Sequence, residues 1–138
     1  GLSANHLLLQ ASGGSIQVVG GWVYRYFQAP SAVSIDADEG DVSFQGFWAD
    51  DYGDGDVLSA TLQDASLSFD GGWISDWDCG RCLNVGGARS NVTITGSTLQ
   101  MGWSQDSSGA LVAVRGPGMG VRIQGSDLSV GYSDSHGG

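Results

Sequence analysis

Short runs in which apolar and polar residues alternate recur along this chain. SIQVVGGW (Ser15–Trp22), DVSFQGFW (Asp41–Trp48), SLSFDGGW (Ser66–Trp73), NVTITGSTL (Asn91–Leu99) and GVRIQGSDL (Gly120–Leu128) superpose. Each is an apolar-x-apolar strand, one further residue, a glycine, then another apolar anchor, and a period of two marks a strand with one buried face. The first apolar positions are Ile16, Val42, Leu67, Val92 and Val121, so the copies are spaced by 26, 25, 25 and 29 residues. A second strand precedes each copy: Leu7–Leu9, Val33–Ile35, Ala60–Leu62, Leu83–Val85 and Leu111–Val114. Its last apolar residue stands seven before the copy's first apolar position in four repeats and five before it in the middle one. A third strand follows as WVYRY, WADDY, WISDW, LQMGW or LSVGY.

Three short strands in about 25 residues, repeated five times, predict an all-β parallel β-helix, a solenoid of about five coils with three strands each. A β-sandwich has similar strands and composition but gives no reason for five in-phase copies. The 138 residues then form one domain, a rod about 25 Å tall at about 4.8 Å per coil. The chain opens on Gly1 rather than Met, and no helix or loop signal at either end covers the edge strands. The expectation is a processed chain or a segment of a longer spike.

Composition agrees. There are 24 glycines, two prolines, no lysine and a single glutamate among fifteen acids; Gly, Ser, Val and Asp favour strands and tight turns over helices. A net charge of −10 leaves no basic stripe for nucleic acid. No apolar run approaches the roughly 20 residues of a membrane-spanning helix, so neither nucleic acid nor membrane insertion is expected.

NVTITGSTL and GVRIQGSDL resemble rungs of the right-handed β-helices typified by pectate lyases, which also occur in bacteriophage tailspikes and extracellular adhesins. The resemblance covers essentially the whole chain, at the level of the rung. It implies a right-handed solenoid and a carbohydrate-handling protein outside a cell or on a virion, commonly built as a trimer with chains side by side. The enzymatic sites of such folds do not transfer. Asp50-Asp51 matches the aspartate pair of galacturonase-type sites, but the Gly-His-Gly and basic motifs that should follow in order are absent, SHGG lying at the C-terminus after VRIQ. A lyase-type site needs a basic residue beside a metal, for which Arg81 is nearest in register.

Four residues after each third-strand anchor stands an aromatic: Tyr26, Tyr52, Trp77, Trp103 and Tyr132. Trp22, Trp48 and Trp73 form a second column. If the strand stays extended, Trp22, Tyr24 and Tyr26 point inward, as do Trp73, Ser75 and Trp77, and the column is an internal aromatic stack. If the strand ends sooner, Tyr52, Trp77 and Trp103 turn outward as a strip on which sugar rings lie, with Asp50 and Asp78 beside them.

The acids gather on the same edge. Asp51 and Asp76 each stand three residues after an anchor in adjacent coils, a pairing that suits the two carboxylates of a glycosidase. Asp51, Asp54 and Asp56 with nearby carbonyls suit Ca²⁺, and a solvated acidic loop competes with both. Cys79-Gly-Arg-Cys82 lacks the further ligands of a structural zinc site and the helix of a redox motif; inert thiols or a local Cys79–Cys82 disulfide remain. Asn91-Val-Thr fits a glycosylation sequon but equally a turn before a strand.

The leading expectation is a virion or extracellular β-helical module that adheres to a cell-surface polysaccharide, as a homo-oligomer or with other spike subunits. A polysaccharide lyase or glycosidase working through Asp51 and Asp76 is one alternative. A purely structural solenoid of a virion or surface layer is the other.

Overall fold

The computed structural model describes residues 3–4, 7–25, 31–51, 56–76, 82–101 and 111–130. They form sixteen strands. After β1 (Ser3–Ala4) come five rungs of three. The first is β2 (Leu7–Ser12), β3 (Ser15–Val19) and β4 (Trp22–Arg25), and the second β5 (Ser31–Asp38), β6 (Asp41–Gln45) and β7 (Trp48–Asp51). The third is β8 (Asp56–Gln63), β9 (Ser66–Asp70) and β10 (Trp73–Asp76). The fourth is β11 (Leu83–Ala88), β12 (Asn91–Thr95) and β13 (Thr98–Met101), and the last β14 (Val112–Arg115), β15 (Gly120–Gln124) and β16 (Asp127–Val130). First strands stack into sheet I, second strands into sheet II and third strands into sheet III, where β1 also pairs with β4. Every pairing is parallel. The chain is a parallel β-solenoid with three sheets.

The middle repeat is not exceptional. Leu9, Ile35, Ala60, Val85 and Val114 are in register, and each stands seven residues before the first apolar residue of the next strand. The expected gap of five came from starting that strand at Ala60. It starts at Asp56, and Leu58, Ala60 and Leu62 all face inward.

Two corners are built from left-handed backbone. Between sheets II and III, Gly20, Gly46, Gly71, Gly96 and Gly125 all have φ between +55° and +67°, where a side chain would crowd its own carbonyl. Their amides continue the ladder through the bend: Gly46 donates to the Asp70 carbonyl at 2.9 Å and Gly71 to that of Thr95 at 2.9 Å. Between sheets I and II the same conformation falls on Gly13, Glu39, Asp64, Arg89 and Gly118. The third corner, from sheet III back to sheet I, absorbs the variation in length. Sheet pairings advance by 25 residues between the middle rungs and by 29 into the last, and the four extra residues fall between Met101 and Val112.

The interior is a stack of like on like. Sheet II contributes Val42, Phe44, Leu67, Phe69, Val92 and Ile94; sheet III contributes Val23, Ala49, Ile74 and Leu99, all buried. Phe44, Phe47 and Phe69 form one aromatic cluster with centroids 5.0–6.4 Å apart. Gly72 leaves room for it, since a Cβ there would lie 2.3 Å from the Phe69 ring. Burial declines toward the last rung, from Val92 at 1% exposed to its partner Val121 at 47%.

Candidate functional site

The left-handed glycine before sheet III decides which side chains reach solvent. Alternation places Phe44 inside and Gln45 outside, but Gly46 turns the chain, so Phe47 is inside, Trp48 outside and Ala49 inside. The same shift operates at Gly20 and Gly71. The expected inward placement of Trp22 and Trp73 is therefore reversed, whereas Ser75, expected inward with them, is buried. Trp22 is 48% exposed and Trp48 52%, Trp73 is half-buried, and Val23, Ala49 and Ile74 take the core positions.

Trp22, Trp48 and Trp73 are in register across β4, β7 and β10. The Trp48 and Trp73 rings are inclined by 18° with centroids 5.4 Å apart. Flat rings in full overlap approach to about 3.5–4.0 Å, so these two are offset from one another. Tyr24 lies 5.8 Å from Trp22 at 52°. The column continues as Thr98 and Asp127. Beside it on the same outer face runs a second register of Tyr24, Asp50, Ser75, Gln100 and Ser129.

Ser75 is unusual in that second register. It is 1% exposed and its hydroxyl has no hydrogen-bond partner among the described residues. The corner serines differ. Ser97 accepts from the Gly72 amide at 3.1 Å and lies 3.0 Å from the Thr95 carbonyl. Ser90 accepts from the Ala65 amide at 3.0 Å and donates to the Ala88 carbonyl at 2.8 Å.

Of the aspartates singled out by sequence, Asp50 sits half-buried on this face. Asp51 and Asp76 end β7 and β10 as direct register partners. Asp56 belongs to sheet I, where its carboxylate accepts from Asn84 Nδ2 at 2.7 Å, and Asn84 Oδ1 accepts from Arg115 at 2.9 Å. Tyr52, Asp54, Trp77, Asp78, Cys79 and Trp103 lie outside the described residues, as do Tyr26 and Tyr132. Among the described residues no three His, Cys, Asp or Glu side chains converge as a metal site would require.

Cys82 occupies a core slot. It is buried in the position that Ala32 and Val57 hold in earlier rungs, and its Sγ lies 3.4 Å from the Gln100 carbonyl and 3.8 Å from that of Ile74. It packs there as a small hydrophobe with a weak donor.

An exposed ion pair stands away from the tryptophans, at the corner of sheets I and II. Arg89 Nε and Nη2 donate to the two Asp64 oxygens at 2.7 and 2.8 Å. These hydrogen bonds, with the Coulomb attraction of the guanidinium, hold the Asp64 carboxyl below its ordinary range, burial opposing them; Arg89 is raised by the same partner.

The outward tryptophan column was the part missed from sequence. The signal was available in the glycine two residues before each of the three tryptophans, because one left-handed residue shifts the alternation by one. No protein-family model, curated protein or solved structure matches this chain.

Proposed function

We propose that this chain is a β-helical module of an extracellular or virion-borne spike that binds a cell-surface polysaccharide along the outer face of sheet III. One observation carries the proposal: Trp22, Trp48 and Trp73 stand outside the solenoid, in register, with Trp22 and Trp48 about half exposed. Large aromatics normally go to the interior, and an exposed row of them marks a surface that meets something. Sugar rings offer C–H faces to indoles and hydroxyls to flanking acceptors, here Asp50 and Gln100 in the neighbouring register. Rungs recur about every 4.8 Å, close to the length of one sugar in an extended chain, so a glycan parallel to the solenoid axis meets one tryptophan per residue.

The test is affinity electrophoresis of the chain through gels containing capsule or lipopolysaccharide, with Trp48→Ala, Trp73→Ala and the double variant beside it. Retardation is expected, weakened at least about tenfold in the double variant while circular dichroism stays unchanged. Unaltered retardation in the double variant removes the tryptophan face from the proposal.

A second function is favoured by one observation, the register pairing of Asp51 with Asp76. Register partners on neighbouring strands stand about 4.8 Å apart along the backbone, close to the separation of about 5–5.5 Å that the two carboxyl groups of a retaining glycosidase need. Shortened polysaccharide chains after incubation, abolished by Asp51→Asn and Asp76→Asn, select cleavage over binding.

A further inference from the structure

The last rung carries the core columns out to solvent. Val121 continues the column of Val42, Leu67 and Val92, Ile123 that of Phe44, Phe69 and Ile94, and Leu128 that of Ala49, Ile74 and Leu99. The residues they continue are buried, yet Val121 is 47% exposed, Ile123 38% and Leu128 44%. Among the described residues no strand pairs with the far edges of β14, β15 and β16. The first rung mirrors this. Leu7, Leu9, Ile16 and Val18 head the columns of sheets I and II, are only partly buried, and no described strand pairs with the far edges of β2 and β3. Open edges of this kind are templates for pairing with another chain.

The two ends fit each other. With one copy laid head to tail on the next, β14 adds to β2 and β15 to β3 in the register that every rung already keeps. Val112 then falls on Leu7, Val114 on Leu9, Val121 on Ile16 and Ile123 on Val18. Two identical ends brought face to face run their coils in opposite senses and form no parallel ladder. Charge favours the same order. The fifth rung carries Arg115 and Arg122, exposed on sheets I and II, and its described acid, Asp127, lies on sheet III. The second rung carries Asp36, Asp38, Glu39 and Asp41, exposed around the corner of sheets I and II, and apart from Arg25 the described first rung is uncharged. Along its own column Arg115 would meet Gln10 and then Asp36, two rungs or about 10 Å away, within about one Debye length at 0.1 M salt.

We infer that the solenoid joins a second copy of itself end to end, the fifth rung of one chain seated on the first rung of the next in continuous parallel register. Sheet III opposes the joint. There β16 meets β4 of the next copy, whose edge is already held by β1, with Ser3 on Trp22 and Ala4 on Val23. Asp127 and Leu128 stand in those same two columns at the other end. A strand of two residues blunts an edge without filling it, and joining exchanges it for the four residues of β16. A head-to-tail contact leaves a free end at every stage, so it extends into rods. The joint uses neither the tryptophan face nor a glycan, and stands apart from the polysaccharide proposal.

The experiment is sedimentation velocity over a concentration series, with electron microscopy of the products. It uses the whole chain, Val121→Lys, Ile123→Lys, Thr61→Lys and the double variant Ser3→Pro with Ala4→Pro. The whole chain should sediment faster as concentration rises, and rods should lengthen in steps of one chain at constant width. Either lysine at the last rung, where the monomer already exposes the position, should weaken association at least about tenfold, because the joint buries its charge. Thr61→Lys, exposed on the middle rung, should associate like the whole chain. The proline variant cannot hold β1 in the ladder and should associate more tightly. Monomers at every concentration in both the whole chain and the proline variant overturn the inference. So does undiminished association in both last-rung lysine variants with circular dichroism unchanged, and so do rods that thicken rather than lengthen. Association no tighter in the proline variant overturns the pairing of β16 with β4.

Discussion

Two glycines in the solenoid should respond very differently to the same added methyl group. Gly71 turns the chain at φ +62°, and a Cβ there meets nothing within 4 Å. Its replacement by alanine costs only the backbone conformation, about 1–2 kcal/mol, less about 0.4–1 kcal/mol recovered by stiffening the unfolded chain. The net is about 1 kcal/mol. Gly87 lies inside β11 at φ +140°, and a Cβ there would stand 1.8 Å from the Leu62 carbonyl oxygen of β8. That atom belongs to the ladder, so neither strand can yield without breaking the pairing of Gly87 with Leu62, and Leu62 is fully buried. Gly87→Ala should cost about 4 kcal/mol or more, in the range reserved for named structural failures. Urea unfolding followed by circular dichroism and fluorescence measures both. Gly71→Ala should lower the midpoint slightly at an unchanged slope, whereas Gly87→Ala should lower it severely or prevent folding. Costs within about 1 kcal/mol of each other would refute the backbone overlap as the reason for glycine at position 87.

Other variants probe the face, the core and one corner. Ser75→Ala removes a buried hydroxyl that has no partner among the described residues, and it should stabilise the fold by about 1 kcal/mol; a clear loss in thermal denaturation would show that the hydroxyl is bonded. Phe69→Ala empties the cluster with Phe44 and Phe47 and should cost about 3–5 kcal/mol, read from the same urea midpoint. Asp64→Asn keeps a residue that tolerates φ +49° but removes a carboxylate whose folded pKa is depressed by Arg89. Stability from that group is present above the unfolded carboxylate value of about 3.9 and is lost as pH falls through the lower folded value. The stability gap between wild type and Asp64→Asn should therefore be present at neutral pH and close in acid. A gap that does not change with pH would contradict the assignment.

Repetition made the architecture readable without coordinates. A glycine four residues after Ile16, Val42, Leu67, Val92 and Val121 marks a bend at the same place in every rung, and all five have positive φ. What misled was parity. Counting by twos from Trp22 assumes an extended chain, whereas the core side of sheet III is set by the residue after the tryptophan: Val23, Ala49 and Ile74. The middle first strand misled for a related reason, since DVLSATLQ carries apolar residues at Leu58, Ala60 and Leu62 and hydrophobicity alone fits more than one start. Only strand pairing selects Leu58 as the partner of Val33 and Leu83. The other corner was invisible, because Glu39, Asp64 and Arg89 adopt left-handed backbone without the glycine that usually announces it.

The confinement of length change to one corner gives this molecule a unit of inheritance. The third and fourth rungs are offset by 25 residues in all three sheets, so a stretch of that length cut at one corner carries a complete set of ladder partners, core side chains and turns. Duplicating residues 66–90 in tandem would place each new strand on a copy of the neighbour it already has, lengthening the rod by one rung and the outer face of sheet III by one tryptophan. Reach along a target could in that way grow or shrink by recombination in whole steps, with no intermediate that loses the fold.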